Sequence, residues 1–193
     1  MNNDDVIRAF VAIEISDEVR EGLKALQQDL KRADAKVGWV APENIHLTLV
    51  FLGDIFRSQK ESFCVVLDSV ASHVLPFRYE VSGTGTFGSA RSPRIIWVGL
   101  NAPPVLAELQ RGVVAGVREL GLKTEDRPFH PHLTLGRIRA TNRVDELTSL
   151  LASARNASHG SVEVHRLLLM QSHLEHQGVR YSVLHESALK GVK

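Results

Sequence analysis

The sequence predicts a fold that mixes helices with strands and consists of two similar halves. Strand-like and helix-like patterns alternate along the 193 residues, and apolar residues recur at helical spacing in four segments. The tetrapeptide HLTL occurs twice, at residues 46–49 and 132–135. A predicted helix precedes each copy and another follows it. The repeat therefore indicates a duplicated unit, which would pack about a pseudo-twofold axis.

The first half begins with a predicted strand over residues 7–15 and a helix that ends near Ala33. Ser16 is a suitable N-cap for this helix, because its hydroxyl can accept a backbone N–H and two acidic residues follow it in the first turn. Residues 37–53 include an apolar, β-branched run that predicts the strand carrying the first HLTL. A second helix follows over residues 58–73.

The second half shows the same alternation. A segment rich in Gly, Ser and Pro over residues 82–93 predicts a loop that lines the cleft. The pattern predicts strands over 77–82 and 94–100, a helix from Pro103 or Pro104 to about 120, a strand over 132–138, a helix over 143–154, and strands over 162–171 and 179–185.

Composition is that of an average folded protein, with 44% apolar and 23% charged residues. No linker divides the chain, so residues 1–193 are expected to form a single domain. The net charge of +1 argues against general binding of polyanions. The single cysteine, the polar N-terminus and the lack of a long apolar run predict a cytoplasmic protein without a membrane span.

The two HLTL strands carry the candidate chemistry. Side chains alternate along a strand, so His46 and Thr48 share one face, as do His132 and Thr134. Each imidazole then lies about 6–7 Å along the strand from a hydroxyl. If the halves face each other across a cleft, two imidazoles and two hydroxyls converge.

This set suits in-line attack on a phosphate diester. One histidine can act as the base for the nucleophile while the other protonates the leaving oxygen on the opposite side. The threonine hydroxyls can hold the non-bridging oxygens, which carry the transition-state charge. No metal or cofactor is needed if a cationic side chain adds its positive charge to that of the protonated histidine and to the threonine hydroxyls.

Arg137 is the candidate cation, since its planar guanidinium matches a phosphate. On an ideal strand it is one residue out of phase with Thr134, so it needs a bend, which Gly136 could provide. The competing interpretation is an exposed charge at the end of a strand.

Two other interpretations concern the histidines, and a third concerns the glycine-rich segment. His46, His130 and His132 could form a zinc site, although such a site does not explain the paired threonines. The glycine-rich segment lacks the ending of a phosphate-binding loop. A lone histidine on a strand is also commonly a structural hydrogen-bonding group.

The sequence resembles the 2H phosphoesterases, and more narrowly the RNA 2′,3′-cyclic phosphodiesterases, also called 2′-5′ RNA ligases. The paired HLTL motifs match the family pattern H-x-[TS]-x. The segments RAFVAIEI, GWVAPENIHLTLVFLGD, SPRIIWVGL, RPFHPHLTLGRIR and LLLMQSHL follow in the family's order. His130 departs from the family pattern.

The resemblance implies an α+β fold of two interleaved lobes, each an antiparallel sheet with helices on its outer face, around a central cleft. It implies hydrolysis of a terminal RNA 2′,3′-cyclic phosphate to a 2′-phosphate. His46 would be the proton donor and His132 the proton acceptor. Thr48, Thr134 and Arg137 would bind the substrate.

Several alternatives to this function remain open at the level of sequence. The physiological reaction could be ATP-independent 2′-5′ ligation of RNA, or hydrolysis of small cyclic nucleotide phosphates. A third interpretation is a module that binds nucleotides or RNA ends without turnover. Nothing in the sequence suggests an oligomer, so a monomer is expected.

Overall fold

The computed structural model describes residues 5–89, 92–140, 143–175 and 178–191. These parts of the chain contain nine strands and four α-helices. The strands are β1 (Val6–Glu14), β2 (Val37–Trp39), β3 (His46–Phe56), β4 (Phe77–Ser89), β5 (Ser92–Asn101), β6 (His132–Ile138), β7 (Ser158–Val164), β8 (Arg166–Glu175) and β9 (Gly178–Ala188). The helices are α1 (Asp17–Lys31), α2 (Lys60–Ser72), α3 (Pro104–Glu119) and α4 (Val144–Ser153).

The strands form two antiparallel groups. The first lobe has the order β3-β1-β8-β9, and the second lobe has the order β7-β4-β5-β6, with β2 on the far part of β6. The lobes join where Leu47 of β3 pairs with Leu133 of β6. The predicted α+β architecture is confirmed, and this one pair connects the two predicted sheets into a continuous, curled sheet.

The helices are exchanged between the lobes. α1 follows β1 of the first lobe, yet it packs against β7 and α4 of the second lobe. α3 follows β5 of the second lobe, yet it packs against α2 and β3 of the first lobe. Buried stripes on these helices, including Leu23 and Val113, meet the core face of the sheet, where Leu47 and Leu133 are fully buried. The HLTL leucines therefore belong to the core, as predicted.

Local signals in the sequence predicted helix boundaries well. Ser16 caps α1, and its Oγ accepts a hydrogen bond from the Val19 N–H at 3.3 Å. None of the helices in the described ranges is long and apolar enough to cross a membrane.

Two predicted boundaries are wrong. Residues 83–89, predicted as a loop, extend β4 and pair with β5. Glycine serves close packing there, because a Cβ on Gly85 would lie 2.4 Å from a ring atom of Trp97. The single strand predicted over residues 162–171 is two strands that separate at His165, and β7 and β8 belong to different lobes. The segment alternates and then runs apolar without a Gly or Pro at His165, so its sequence carries no turn signal for the change of lobe.

Candidate active site

The site forms where β3 and β6 meet. Their antiparallel register is set by Leu47 opposite Leu133. One residue to either side, that register brings His46 next to the position of Thr134 and Thr48 next to that of His132. All four side chains lie on the face opposite the buried leucines and are partly exposed. The structure thus brings together both predicted histidines and both predicted threonines.

A β-bulge in β6 decides where Arg137 lies. Leu135 and Gly136 of β6 occupy the space of one residue on β5, and both are buried. The alternation then resumes with Arg137 exposed on the face of His132 and Thr134. The bend that the sequence required is present, and it brings the guanidinium to the cleft face.

Neighbouring elements hold this bulge in place. The carbonyl of Leu135 accepts hydrogen bonds from the buried Gln27 amide at 2.9 Å and from the Val40 N–H at 2.9 Å. Gly136 is needed for the close approach of β2, because a Cβ there would lie 2.7 Å from Cγ1 of Val37. Gly136 therefore contributes by leaving room for β2 beside β6.

A second bulge follows the first motif at the equivalent position. Leu49 and Val50 of β3 are both buried, and Phe51 emerges on the cleft face with 62% of its surface exposed. The Gln110 side chain of α3 donates to the Leu49 carbonyl at 3.4 Å, as Gln27 of α1 does in the other lobe. The duplicated strands share one geometry but carry an aromatic ring in one half and a cation in the other.

Both imidazoles are oriented by the same backbone contact. Nδ1 of His46 lies 2.8 Å from the carbonyl oxygen of Asn44, and Nδ1 of His132 lies 2.7 Å from that of His130. A carbonyl only accepts, so Nδ1 carries the proton in each ring. The Nε2 atoms are thereby left to exchange protons with a substrate. His130 contributes its backbone carbonyl here, a contact that does not depend on its side chain.

His46 lies among aromatic rings. It stacks on Phe10 with ring centroids 4.8 Å apart and meets the edge of Tyr181 at 5.1 Å. Burial lowers the pKa of His46 below its ordinary value, and the hydrogen bond to the Asn44 carbonyl opposes this shift. Burial also raises the pKa of Tyr181, whereas the positive charge of Arg137 acts to lower it. Arg137 therefore lies close enough to act on the ring that contacts His46.

His132 has different neighbours. Its ring makes a T-shaped contact with Phe87, with centroids 4.8 Å apart, and the centroids of Phe87 and Trp97 lie 5.4 Å apart. Phe87 belongs to the glycine-rich segment, so the expectation that this segment lines the cleft is confirmed. The two imidazoles share the same backbone contact at Nδ1 but differ in the aromatic rings around them.

Sequence reasoning missed the aromatic residues of the site. Phe10 and Tyr181 lie on strands whose neighbour order is a property of the whole sheet. The zinc interpretation fails in the described ranges, where no three His, Cys, Asp or Glu side chains are grouped to bind a metal. The geometry instead presents two imidazoles, two hydroxyls and one guanidinium.

Comparison with known proteins identifies the family. The family model described as LigT like Phosphoesterase matches the chain twice, over residues 13–97 and 98–181. The chain belongs to the LigT-like phosphoesterase family. The two matches divide the chain into halves that each contain one HLTL motif, which agrees with the duplication seen in β3 and β6.

Relatives in this family match over most of the chain. A Methanothermobacter thermautotrophicus protein named RNA 2′,3′-cyclic phosphodiesterase is 32% identical over 91% of this chain and 95% of its own length. An Aquifex aeolicus protein of the same name is 32% identical over 96% and 99%. A crystal structure of a Thermus thermophilus protein superposes with a TM-score of 0.81 at 29% identity, covering 96% of this chain and 99% of that one.

Proposed function

We propose that this protein hydrolyses the terminal 2′,3′-cyclic phosphate of RNA to a 2′-phosphomonoester without a metal ion. The observation that carries the proposal is the pair of imidazoles, each oriented through Nδ1, beside two hydroxyls where β3 and β6 pair. The relatives named RNA 2′,3′-cyclic phosphodiesterase supply the substrate class.

In the proposed reaction, His132 Nε2 removes a proton from water as the water oxygen attacks phosphorus. The bond from phosphorus to the 3′-oxygen breaks on the opposite side, and His46 Nε2 gives its proton to that oxygen. The product carries a 2′-phosphate and a 3′-hydroxyl, and the proton moves from one imidazole to the other. Exchange with solvent restores the starting state.

The remaining polar groups stabilise charge on the phosphate. Thr48 and Thr134 donate hydrogen bonds to the non-bridging oxygens, and Arg137 offers a planar pair of donors to the same group. Phe51 presents an exposed ring on the cleft face, which suits stacking by a nucleobase. A nucleotide end would thus contact both halves of the duplicated site.

The pKa of His46 bears on its role as the proton donor. Burial favours the neutral ring in the empty cleft, whereas an anionic phosphate beside the ring favours the imidazolium. We infer that the substrate itself promotes protonation of His46. Because desolvation weakens its hold on the proton, the charged ring then donates to the leaving oxygen more readily.

The proposal includes a monomeric enzyme of the cytoplasm in which the two lobes form a single domain. The chain has a single cysteine, Cys64, which is buried, and the lack of an internal disulfide is typical of proteins from a reducing compartment. The exchange of helices between lobes supports a single unit, since each sheet is covered by helices from both halves.

The test uses an RNA oligonucleotide that ends in a 2′,3′-cyclic phosphate, incubated with the protein and excess EDTA. We expect a 2′-phosphate end, and we expect His46→Ala and His132→Ala each to lower kcat by about 10²–10⁴-fold. His73→Ala is the matched control, because His73 is an exposed histidine at the end of α2. Near wild-type turnover in either active-site variant would sink the two-histidine mechanism.

A further inference from the structure

A groove continues the cleft face beyond Arg137. It has a volume of about 390 Å³ and is lined by residues 92–95 and 137–140, at the ends of β5 and β6. Arg137 and Arg139 both line it and are both exposed. They are two residues apart, which places them on the same side of the extended backbone.

The guanidinium of Arg139 has a defined position. It lies over Gly38 of β2, where a Cβ would be 2.6 Å from its Nε and 2.8 Å from its Nη2. Gly38 pairs with Arg137, so Arg139 reaches back across β2 toward the first arginine. The backbone N–H of Arg139 donates to the Lys36 carbonyl at 2.8 Å, which anchors this end of the strand. Any side chain at position 38 would displace the guanidinium.

The positive charge of this pair is not neutralised within the described ranges. The ion pairs found there do not include Arg137 or Arg139. A carboxylate near this edge, that of Asp34, lies 3.6 Å from Arg143 and is engaged by it. Two arginines that line the same groove without acidic partners in the described ranges can form a site for anions.

The groove begins at Arg137, beyond the threonines that are proposed to hold the cyclic phosphate. Arg137 follows Thr134 along β6 by about 7–10 Å of bulged strand, and Arg139 extends the same face outward. A terminal nucleotide whose cyclic phosphate lies between the threonines would direct its 5′ side along one of the two lobes. The second lobe offers cations there, whereas the first offers the exposed ring of Phe51.

We propose that Arg139, seated over Gly38 beside Arg137, binds the phosphate on the 5′ side of the terminal nucleotide. This inference rests on the proposed function and adds a determinant of substrate choice to it. The site would make the enzyme prefer RNA ends, in which that phosphate is the internucleotide linkage, over a cyclic mononucleotide that lacks it.

Three substrates with the same reacting end test the proposal. They are adenosine 2′,3′-cyclic phosphate, its 5′-phosphorylated form, and the dinucleotide ApA 2′,3′-cyclic phosphate. We expect KM for the dinucleotide to be about tenfold below that for the mononucleotide, and Arg139→Ala to bring the ratio close to one. If Arg139→Ala raises KM for the 5′-phosphorylated form but not for the dinucleotide, the site binds terminal phosphates. If Arg139→Ala raises KM for the dinucleotide alone, the site binds internucleotide phosphates. Both results support a phosphate site.

Matched variants exclude a general charge effect. Arg111→Ala removes an exposed arginine from α3, away from the groove, and should keep the wild-type ratio. Gly38→Val keeps every charge but displaces the Arg139 side chain. Like Arg139→Ala, it should bring the KM values for the mononucleotide and the dinucleotide close together. Raising salt should increase log KM for the dinucleotide more steeply than for the mononucleotide, by about 0.7 per log unit. That difference should vanish in Arg139→Ala.

The same variants separate failure of this inference from failure of the proposed function. If wild type turns over the mononucleotide but Arg139→Ala keeps the wild-type ratio, the second phosphate site is refuted and the function stands. If nothing is turned over, equilibrium binding of adenosine 2′-phosphate and of ApA 2′-phosphate decides. The site is upheld if wild type binds ApA 2′-phosphate more tightly than adenosine 2′-phosphate and Arg139→Ala does not. Equal dissociation constants of the two ligands in wild type would refute it.

Discussion

At the scale of single residues, the two histidines are set apart by what surrounds them. Each ring is oriented through Nδ1 by a backbone carbonyl two residues earlier. His46 then packs on Phe10 and Tyr181, while His132 contacts Phe87. The duplicated site therefore surrounds its two imidazoles with different aromatic rings, and burial lowers the pKa of His46.

The lowered pKa of His46 can be measured directly. In an NMR titration of the free protein, we expect His46 to lose its proton below the ordinary value of about 6.5. Inorganic phosphate in the cleft should raise the midpoint, because an anion favours the charged ring. A midpoint at or above the ordinary value in the free protein would contradict the effect assigned to burial.

The same shift links pH to stability with a definite sign. The folded pKa lies below the unfolded one, so the unfolded chain binds more protons in between. The contribution of His46 to stability is present above the unfolded pKa and is lost as pH falls through the folded pKa. Between pH 8 and pH 5, the free energy of unfolding should fall less in His46→Gln than in wild type.

At the scale of elements, the paired bulges in β3 and β6 position the groups that follow each motif. The bulge in β6 turns Arg137 onto the cleft face, and the Leu135 carbonyl that it frees is bound by Gln27. Gln27 touches no group proposed to contact substrate, so it is a positioning residue.

Replacing Gln27 tests this role. Gln27→Met keeps the volume but removes the amide that donates to the carbonyls of both Leu135 and Val40. We expect a loss of about 1–3 kcal/mol in the free energy of unfolding, because the Val40 N–H still donates to the Leu135 carbonyl but the Val40 carbonyl loses this donor. KM should rise more than kcat falls, because phosphate binding by Arg137 is disturbed more than the imidazoles. Gln110→Met is the comparison variant in the other lobe, where Phe51 follows the bulge in place of an arginine. Gln27→Met should weaken binding of inorganic phosphate more than Gln110→Met does, and equal weakening in both variants would count against the link to Arg137.

At the scale of the whole molecule, the lobes exchange their helices. α1 covers the second lobe and α3 covers the first. The first lobe also takes strands from both ends of the chain, since β8 and β9 complete the sheet that β1 and β3 begin. Neither half of the sequence therefore holds a complete core.

Separating the halves tests whether they form one unit. Expressed alone, residues 1–102 and residues 103–193 should each lack a cooperative thermal transition, because each would expose the apolar face that the other covers. Mixing the two fragments should restore both the transition and turnover. Cooperative unfolding of either fragment alone would show instead that each half folds independently.

The site was largely predictable because its main signal is local. Strand alternation places His46 with Thr48 and His132 with Thr134 whatever the rest of the fold, and the repeat suggests that the pairs meet. The bulges were hidden inside apolar runs, where extra residues leave no mark on the pattern. The contacts of Phe10 and Tyr181 depend on the order β1-β8-β9, which arises from pairing between distant segments.

The most direct test of the central claim is the product formed from adenosine 2′,3′-cyclic phosphate in excess EDTA. Two histidines acting as proposed, with His46 protonating the 3′-oxygen, predict adenosine 2′-phosphate as the product. Adenosine 3′-phosphate would contradict the leaving-group assignment while keeping the enzyme class. Turnover that appears only when a divalent metal is restored would contradict the metal-independent mechanism itself.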